Sequence, residues 1–290
     1  MKTNYLLIIM LFLFIYSCDF RKSVNKDLIT GMTSVGNGLS CEDVYLSVGE
    51  EKINRKTFTY GENIVWNFDG VDGFKKTGNF SFPGMQMTVT DSKKDTVINY
   101  SDLYAEKDAG VDLSPLLLTS FLTMANPIHS NNNYTIYIKI WDKKGEGTFT
   151  ATMDFEVVPD KAIEIEKNIL SYNELYLFSE ERKKVIIGDE ARLNEKIYFI
   201  IEGLEGFTEQ DGKVYIGMNM KATDASNTVL LDETDMLGNE AYDPADLKSQ
   251  VLGNFLFRDP ATKNPVTCEL EVWDKKGEGK LKAKVMLNIK

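Results

Sequence analysis

Few side chains in this sequence are of a type and spacing that could do chemistry. His129 is the only histidine. Ser-His-Asp or Cys-His catalysis, or a histidine metal site, would therefore depend on one residue in the segment Pro127-Ile128-His129-Ser130-Asn131, which has no counterpart later in the chain. It reads as an exposed loop histidine. Carboxylates offer a second chemistry. Asp69-Gly70-Val71-Asp72-Gly73 and Glu202-Gly203-Leu204-Glu205-Gly206 each place two acids at the same spacing beside glycines. Such clusters can hold calcium, but these loops supply fewer oxygen donors than an EF-hand-like site needs, and they read as turns with solvated acids. Asp69 with Asp72 would be the pair to test for carboxylate-only hydrolysis, although nothing in the spacing singles out an acid and a nucleophile. No phosphate loop, dinucleotide fingerprint or zinc-ligand spacing occurs, so no cofactor and no metal is expected.

Aromatic side chains are the remaining candidates. Trp141, Trp273 and Tyr137 fall on the outward side of strongly alternating segments, where they could stack on a sugar or anchor a protein. Both tryptophans open the heptapeptide Trp-Asp-Lys-Lys-Gly-Glu-Gly, present at 141–147 and again at 273–279. A residue kept in both copies is expected first to cover the end of its own domain or to pack at the domain junction.

That heptapeptide belongs to a longer repeat. Leu39-Ser40 matches Leu170-Ser171, Tyr45-Leu46 matches Tyr176-Leu177, Gly84-Met85-Gln86-Met87 matches Gly217-Met218-Asn219-Met220, and Asp102-Leu103 matches Asp235-Met236. The order is kept and the spacing barely drifts, so the chain is a duplication. Two units follow, 39–158 and 169–290, joined by a connector at 159–168.

Within one unit, Tyr134, Ile136, Ile138 and Ile140 alternate with polar or outward residues, and Phe149, Ala151, Met153, Phe155 and Val157 continue the pattern. Period-two alternation marks half-buried strands. Each unit therefore ends in a hairpin, with Gly145 or Gly277 expected at positive φ in its turn. Further strands are expected at 43–48, 56–60, 64–68, 85–90, 96–99 and 117–124, and Ser114-Pro115 is the one tempting helix start. The fold class is all-β: two tandem antiparallel β-sandwiches of the immunoglobulin-like, C2-like or jelly-roll kind. Cys268 stands where the first unit has Ile136, on an inward face, and Cys41 where the second has Tyr172. Both read as unpaired thiols, because a disulfide would have to join the two units.

Composition limits the partners. With 33 basic and 44 acidic residues the net charge is −11, and no basic stripe is present to neutralise a phosphate backbone, so nucleic acid is excluded. An acidic surface also repels anionic headgroups, so membrane attachment requires another device. The N-terminus supplies one. Lys2 precedes the apolar run Tyr5 to Tyr16, which ends at Ser17-Cys18 and gives way to Asp19-Phe20-Arg21-Lys22. The run is shorter than the roughly 20 residues of a membrane span and has the layout of an export signal.

Ile15-Tyr16-Ser17-Cys18 resembles the lipobox of bacterial lipoproteins, in which an aliphatic residue, two mostly small residues and a cysteine direct lipidation and cleavage before the cysteine. Tyr16 is larger than the usual occupant. The resemblance implies a signal peptide at 1–17, lipid on Cys18, and a lipidated tether at 18–38 rich in Lys, Asn, Ser, Thr and Gly. In organisation the chain resembles the tandem β-sandwich lipoproteins common on Gram-negative cell envelopes. That implies a protein on a membrane of the envelope, the outer membrane favoured over the inner. It would act without catalysis as a protein-binding or scaffolding module or, alternatively, as the carbohydrate-binding lipoprotein of a glycan-uptake system; a carboxylate-only hydrolase is the third reading. The partner would be an envelope protein or a glycan.

Overall fold

The computed structural model describes residues 22–290; the signal peptide at 1–17 and the lipidation site Cys18 lie outside them. The fold is all-β, built as two antiparallel sandwiches with separate hydrophobic cores. In the first, β2 (Thr33–Asn37), β11 (Thr148–Val158), β10 (Asn132–Asp142), β7 (Pro83–Asp91) and β8 (Thr96–Tyr100) form the large sheet in that order. A smaller sheet runs β4 (Glu51–Ile53), β3 (Asp43–Val48), β6 (Asn63–Asp69), β9 (Leu118–Thr123). The short β5 (Thr57–Thr59) pairs in parallel with the end of β11.

Alternation places the core between these sheets. Ile136, Ile138, Ile140, Met85, Met87 and Val89 from the large sheet meet Leu46, Trp66, Phe68, Leu118 and Leu122 from the small one. A slip of one residue in either sheet would turn its whole apolar set to solvent, which is why the register is well specified.

The second unit repeats this plan. Its large sheet runs β12 (Ile163–Lys167), β21 (Lys280–Ile289), β20 (Val266–Asp274), β17 (Ile216–Thr223), β18 (Val229–Glu233), and its small sheet β14 (Lys184–Ile186), β13 (Glu174–Ser179), β16 (Lys196–Glu202), β19 (Val251–Leu256). The two-residue β15 (Glu190–Ala191) repeats the parallel contact, here on β21.

Three expectations are corrected. Residues 22–37 are not a tether: β1 (Lys22–Lys26) pairs with β2, and β2 with β11. Their polar composition hid this, because an edge hairpin is held mainly by ladder hydrogen bonds that any side chain permits. Likewise the connector 159–168 contains β12, the counterpart of β2, so both units begin several residues earlier than the side-chain matches indicate. Ser114-Pro115 starts no helix; α1 (Pro244–Ser249) lies in the second unit, with proline in its first turn, where the missing N–H costs nothing.

Candidate functional site

The duplicated heptapeptide is a structural clasp. Trp141, the penultimate residue of β10, lies across Gly84 of β7, its register partner; a Cβ on Gly84 would fall inside the indole. Trp273 covers Gly217 in the same way. The next residue, Asp142, is buried, and its carboxylate accepts hydrogen bonds from the backbone N–H groups of Lys75 (2.6 Å) and Lys144 (2.9 Å). Asp274 accepts from Thr208 (2.7 Å) and Lys276 (2.8 Å). Lys143 reaches Asp102 at 2.8 Å and Lys275 reaches Asp235 at 2.6 Å, while Lys144 and Lys276 stand over Phe82 and Tyr215.

Neither Gly145 nor Gly277 takes positive φ, contrary to expectation. Each is glycine because the carboxylate of Asp142 or Asp274 occupies the space of a Cβ. Gly147 is required by Leu39 and Gly279 by Leu170, whose Cδ2 atoms lie 2.9 and 2.7 Å from where a Cβ would stand. Both tryptophans are thus half-buried covers for their own sandwich ends.

Trp141 and Tyr137 share the outward face of β10 in the first unit, whereas Trp273 belongs to β20 of the second. Tyr137 is exposed and flanked in register by Thr88 and Thr152. The face around it carries Thr90, Thr135, Thr148 and Thr150, with Lys139 among few charges. The equivalent face of the second unit is a charged ladder: Lys280 pairs with Glu271 at 2.5 Å, Lys282 with Glu269 at 2.7 Å, and Lys284 with Glu164 at 3.6 Å.

The acid-glycine loops are built by the backbone. Gly70 and Gly73, and Gly203 and Gly206, all have positive φ, and Asp72 and Glu205 exchange backbone hydrogen bonds with Ser40 and Ser171. Their carboxylates do not converge on a site: Glu202 accepts from the Tyr176 hydroxyl at 2.7 Å, Glu205 pairs with Lys248, and Asp72 is exposed. Among the described residues no cluster of three or more His, Cys, Asp or Glu side chains could hold a metal ion. Cys41 and Cys268 are both free thiols; burial pushes the Cys41 thiol up to about 12 and raises the Cys268 thiol as well.

His129 is not a free loop residue. It sits at the junction of the units, its Nδ1 3.4 Å from Oε1 of Glu174, the first residue of β13. Glu174 is fully buried and accepts from the Ser130 N–H (2.6 Å) and Ser130 hydroxyl (2.9 Å) of the first unit. Beside it the rings of Tyr60 and Tyr176 lie 5.1 Å apart, and Val185 packs on Gly61, which has positive φ. Burial raises the Glu174 carboxyl against the lowering effect of the Ser130 hydrogen bonds and His129, and Glu202 adds to the rise.

One site escaped the sequence reading. Between the edge strands β8 and β9 the first sandwich opens into a groove of about 620 Å³, walled by Met87, Tyr100, Tyr104, Phe121 and Leu122, with Ser120 at its floor and Lys107 at its margin. Phe121 is 68% and Tyr100 50% exposed. The signal for it, exposed aromatics at outward positions of short strands, was present but scattered over separate segments.

No family model matches this chain, and no curated protein matches it. Among solved structures it is similar to pT26-6p (9% identity, TM-score 0.26), of which it spans 66% with 93% of its own length. It is also similar to dimeric latent PorU from Porphyromonas gingivalis (11% identity, TM-score 0.25), spanning 20% of that chain with 87% of its own. The fibronectin(III)-like modules of Clostridium thermocellum CbhA give 8% identity and a TM-score of 0.19 over 84% of this chain and 94% of theirs. The sandwich architecture stands on the strand pairing of the chain itself.

Proposed function

We infer that the protein is a non-enzymatic binding or scaffolding module of a bacterial envelope, held to a membrane by lipid on Cys18. The observation that carries the binding role is the outward face of the first large sheet. It is rich in threonine, sparsely charged and centred on exposed Tyr137, where the second unit carries paired charges. Threonine hydroxyls and an aromatic ring desolvate at lower cost than a lysine-glutamate ladder, so the first face is the better partner surface.

An envelope protein is the partner this reading favours. A photo-crosslinking amino acid placed at Tyr137 in living cells should give one defined protein adduct, and the same group at Lys282 none. Equal, diffuse labelling from both positions would remove the assignment. A hydroxyl-rich face with an exposed ring also suits a glycan, which is the second reading; binding on a glycan array that is lost in Tyr137→Ala would replace the protein partner by a sugar. The anchor has its own test: mass spectrometry should find the mature N-terminus at an acylated Cys18, and an unmodified N-terminus elsewhere would refute it.

A further inference from the structure

The duplication supplies an internal control for the groove of the first sandwich. In the small sheet Trp66 stands opposite Ser120, and in the second unit the same pair is Phe199 opposite Gly253. There the space a side chain on Gly253 would need is taken by Met220 and Leu270, so that interior is filled and wholly apolar. In the first unit both polar atoms of the pair, Trp66 Nε1 and Ser120 Oγ, are buried and find no hydrogen-bond partner in the protein. A sandwich of this design does not need them, since its twin does without. A buried donor left unpaired is a standing cost to the fold.

The walls differ in the same sense. By register and repeat, Tyr100 corresponds to Glu233, Phe121 to Asn254 and Tyr104 to Leu237. None of these three ring positions carries a ring in the other copy, whose corresponding edge has a groove of about 410 Å³ lined by Leu231, Phe255 and Phe257 together with the charged Arg258 and Asp259. An incoming peptide strand is disfavoured at this edge. The Tyr104 hydroxyl already donates to the Thr119 carbonyl (3.2 Å) and accepts from the Thr119 N–H (3.0 Å), closing the β9 ladder there. A sugar is disfavoured too, because the walls offer few groups for its many hydroxyls.

We propose that this groove is a binding site for a small, flat, ring-containing molecule that carries a hydrogen-bond-accepting oxygen. The rings of Tyr100 and Phe121 stack on its apolar body, and the Ser120 hydroxyl, which lines the groove, donates to the oxygen at the buried end; the Trp66 N–H belongs to the neighbouring strand behind Ser120. The volume is within the range of sites for molecules of that size. This site is separate from the sheet face around Tyr137 and stands or falls independently of it.

The test uses the full chain and two ligands of nearly equal shape, 2-acetonaphthone and 2-ethylnaphthalene, titrated by saturation-transfer NMR. The ketone should bind about tenfold more tightly, the factor one satisfied buried donor produces. The Ser120→Ala, Trp66→Phe double variant should bind the hydrocarbon as before and lose the preference for the ketone. Phe121→Asn with Tyr100→Glu, both at exposed positions and both the residues of the second unit, should weaken both ligands at least about tenfold while leaving the melting temperature unchanged. Absence of saturable binding by either ligand, or binding that the rim variants do not alter, would overturn the site. Equal affinity for ketone and hydrocarbon in the unmodified chain would overturn the assignment of the donors and leave them to a buried water.

Discussion

Replacing Asp142 by alanine strips the first clasp of its centre. The carboxylate joins Lys75, in the loop after β6, to Lys144, in the hairpin turn, by accepting from their backbone N–H groups at 2.6 and 2.9 Å. A hydrogen bond to a charged acceptor contributes about 1.5–3 kcal/mol. Two such bonds, discounted for the desolvation that alanine avoids, come to about 3 kcal/mol. In a domain of this size 1 kcal/mol moves the melting temperature by about 4 °C, so calorimetry should find the first sandwich melting about 12 °C lower. Asp274→Ala should cost the second sandwich a similar amount, because Asp274 takes equivalent bonds from Thr208 and Lys276. Asp142→Asn, which keeps one acceptor oxygen, should fall between alanine and the unmodified chain. A shift below about 2 °C for either alanine variant would refute the claim that the repeated heptapeptide is retained for the fold.

Other consequences can be measured on the same material. Gly84→Ala places a methyl group inside the Trp141 ring and should destabilise the first unit by about 2 kcal/mol or more, seen as a lower urea midpoint with a red-shifted tryptophan emission. Burial raises the Glu174 carboxyl in the folded chain, so the stability linked to its proton is fully present below the unfolded carboxylate value and is lost as pH rises through the folded one. The melting temperature of Glu174→Gln should therefore gain on that of the unmodified chain between pH 4 and neutrality; a difference that stays flat or moves the other way would contradict it. Cys41 donates its thiol to the carbonyls of Asp43 and Asp69 and is pushed up to about 12, and Cys268 is buried, so neither should react with iodoacetamide at pH 8 within the lifetime of a free-thiol control.

The strands were legible because burial repeats every second residue, and the duplication was legible because Trp141 to Gly147 recurs at Trp273 to Gly279. What the sequence concealed has a common cause. β1 and β2 are polar and held by ladder bonds, so no side-chain pattern announces them. The glycine of the hairpin turn is explained by a carboxylate three residues earlier and not by its own φ, a distinction that composition cannot draw. His129 meets Glu174, and Trp66 meets Ser120, only after the sheets have formed, across separations that local spacing does not encode.

Comparing the two copies also reverses the first expectation about where function lies. Residues shared by both units, the tryptophans, the clasp aspartates and the loop glycines, are each accounted for by a contact that closes a turn or a sandwich end. Two surfaces of the first unit differ in chemistry from their counterparts in the second. One is the sheet face, where Thr152 and Tyr137 stand against Lys284 and Glu269. The other is the groove, where Tyr100, Phe121 and Ser120 stand against Glu233, Asn254 and Gly253. A fold that both copies attain cannot require what only one possesses. The exposed rings and unpaired donors of the first unit are therefore where the proposed binding is to be tested, and the charged ladders of the second make that face costlier to desolvate.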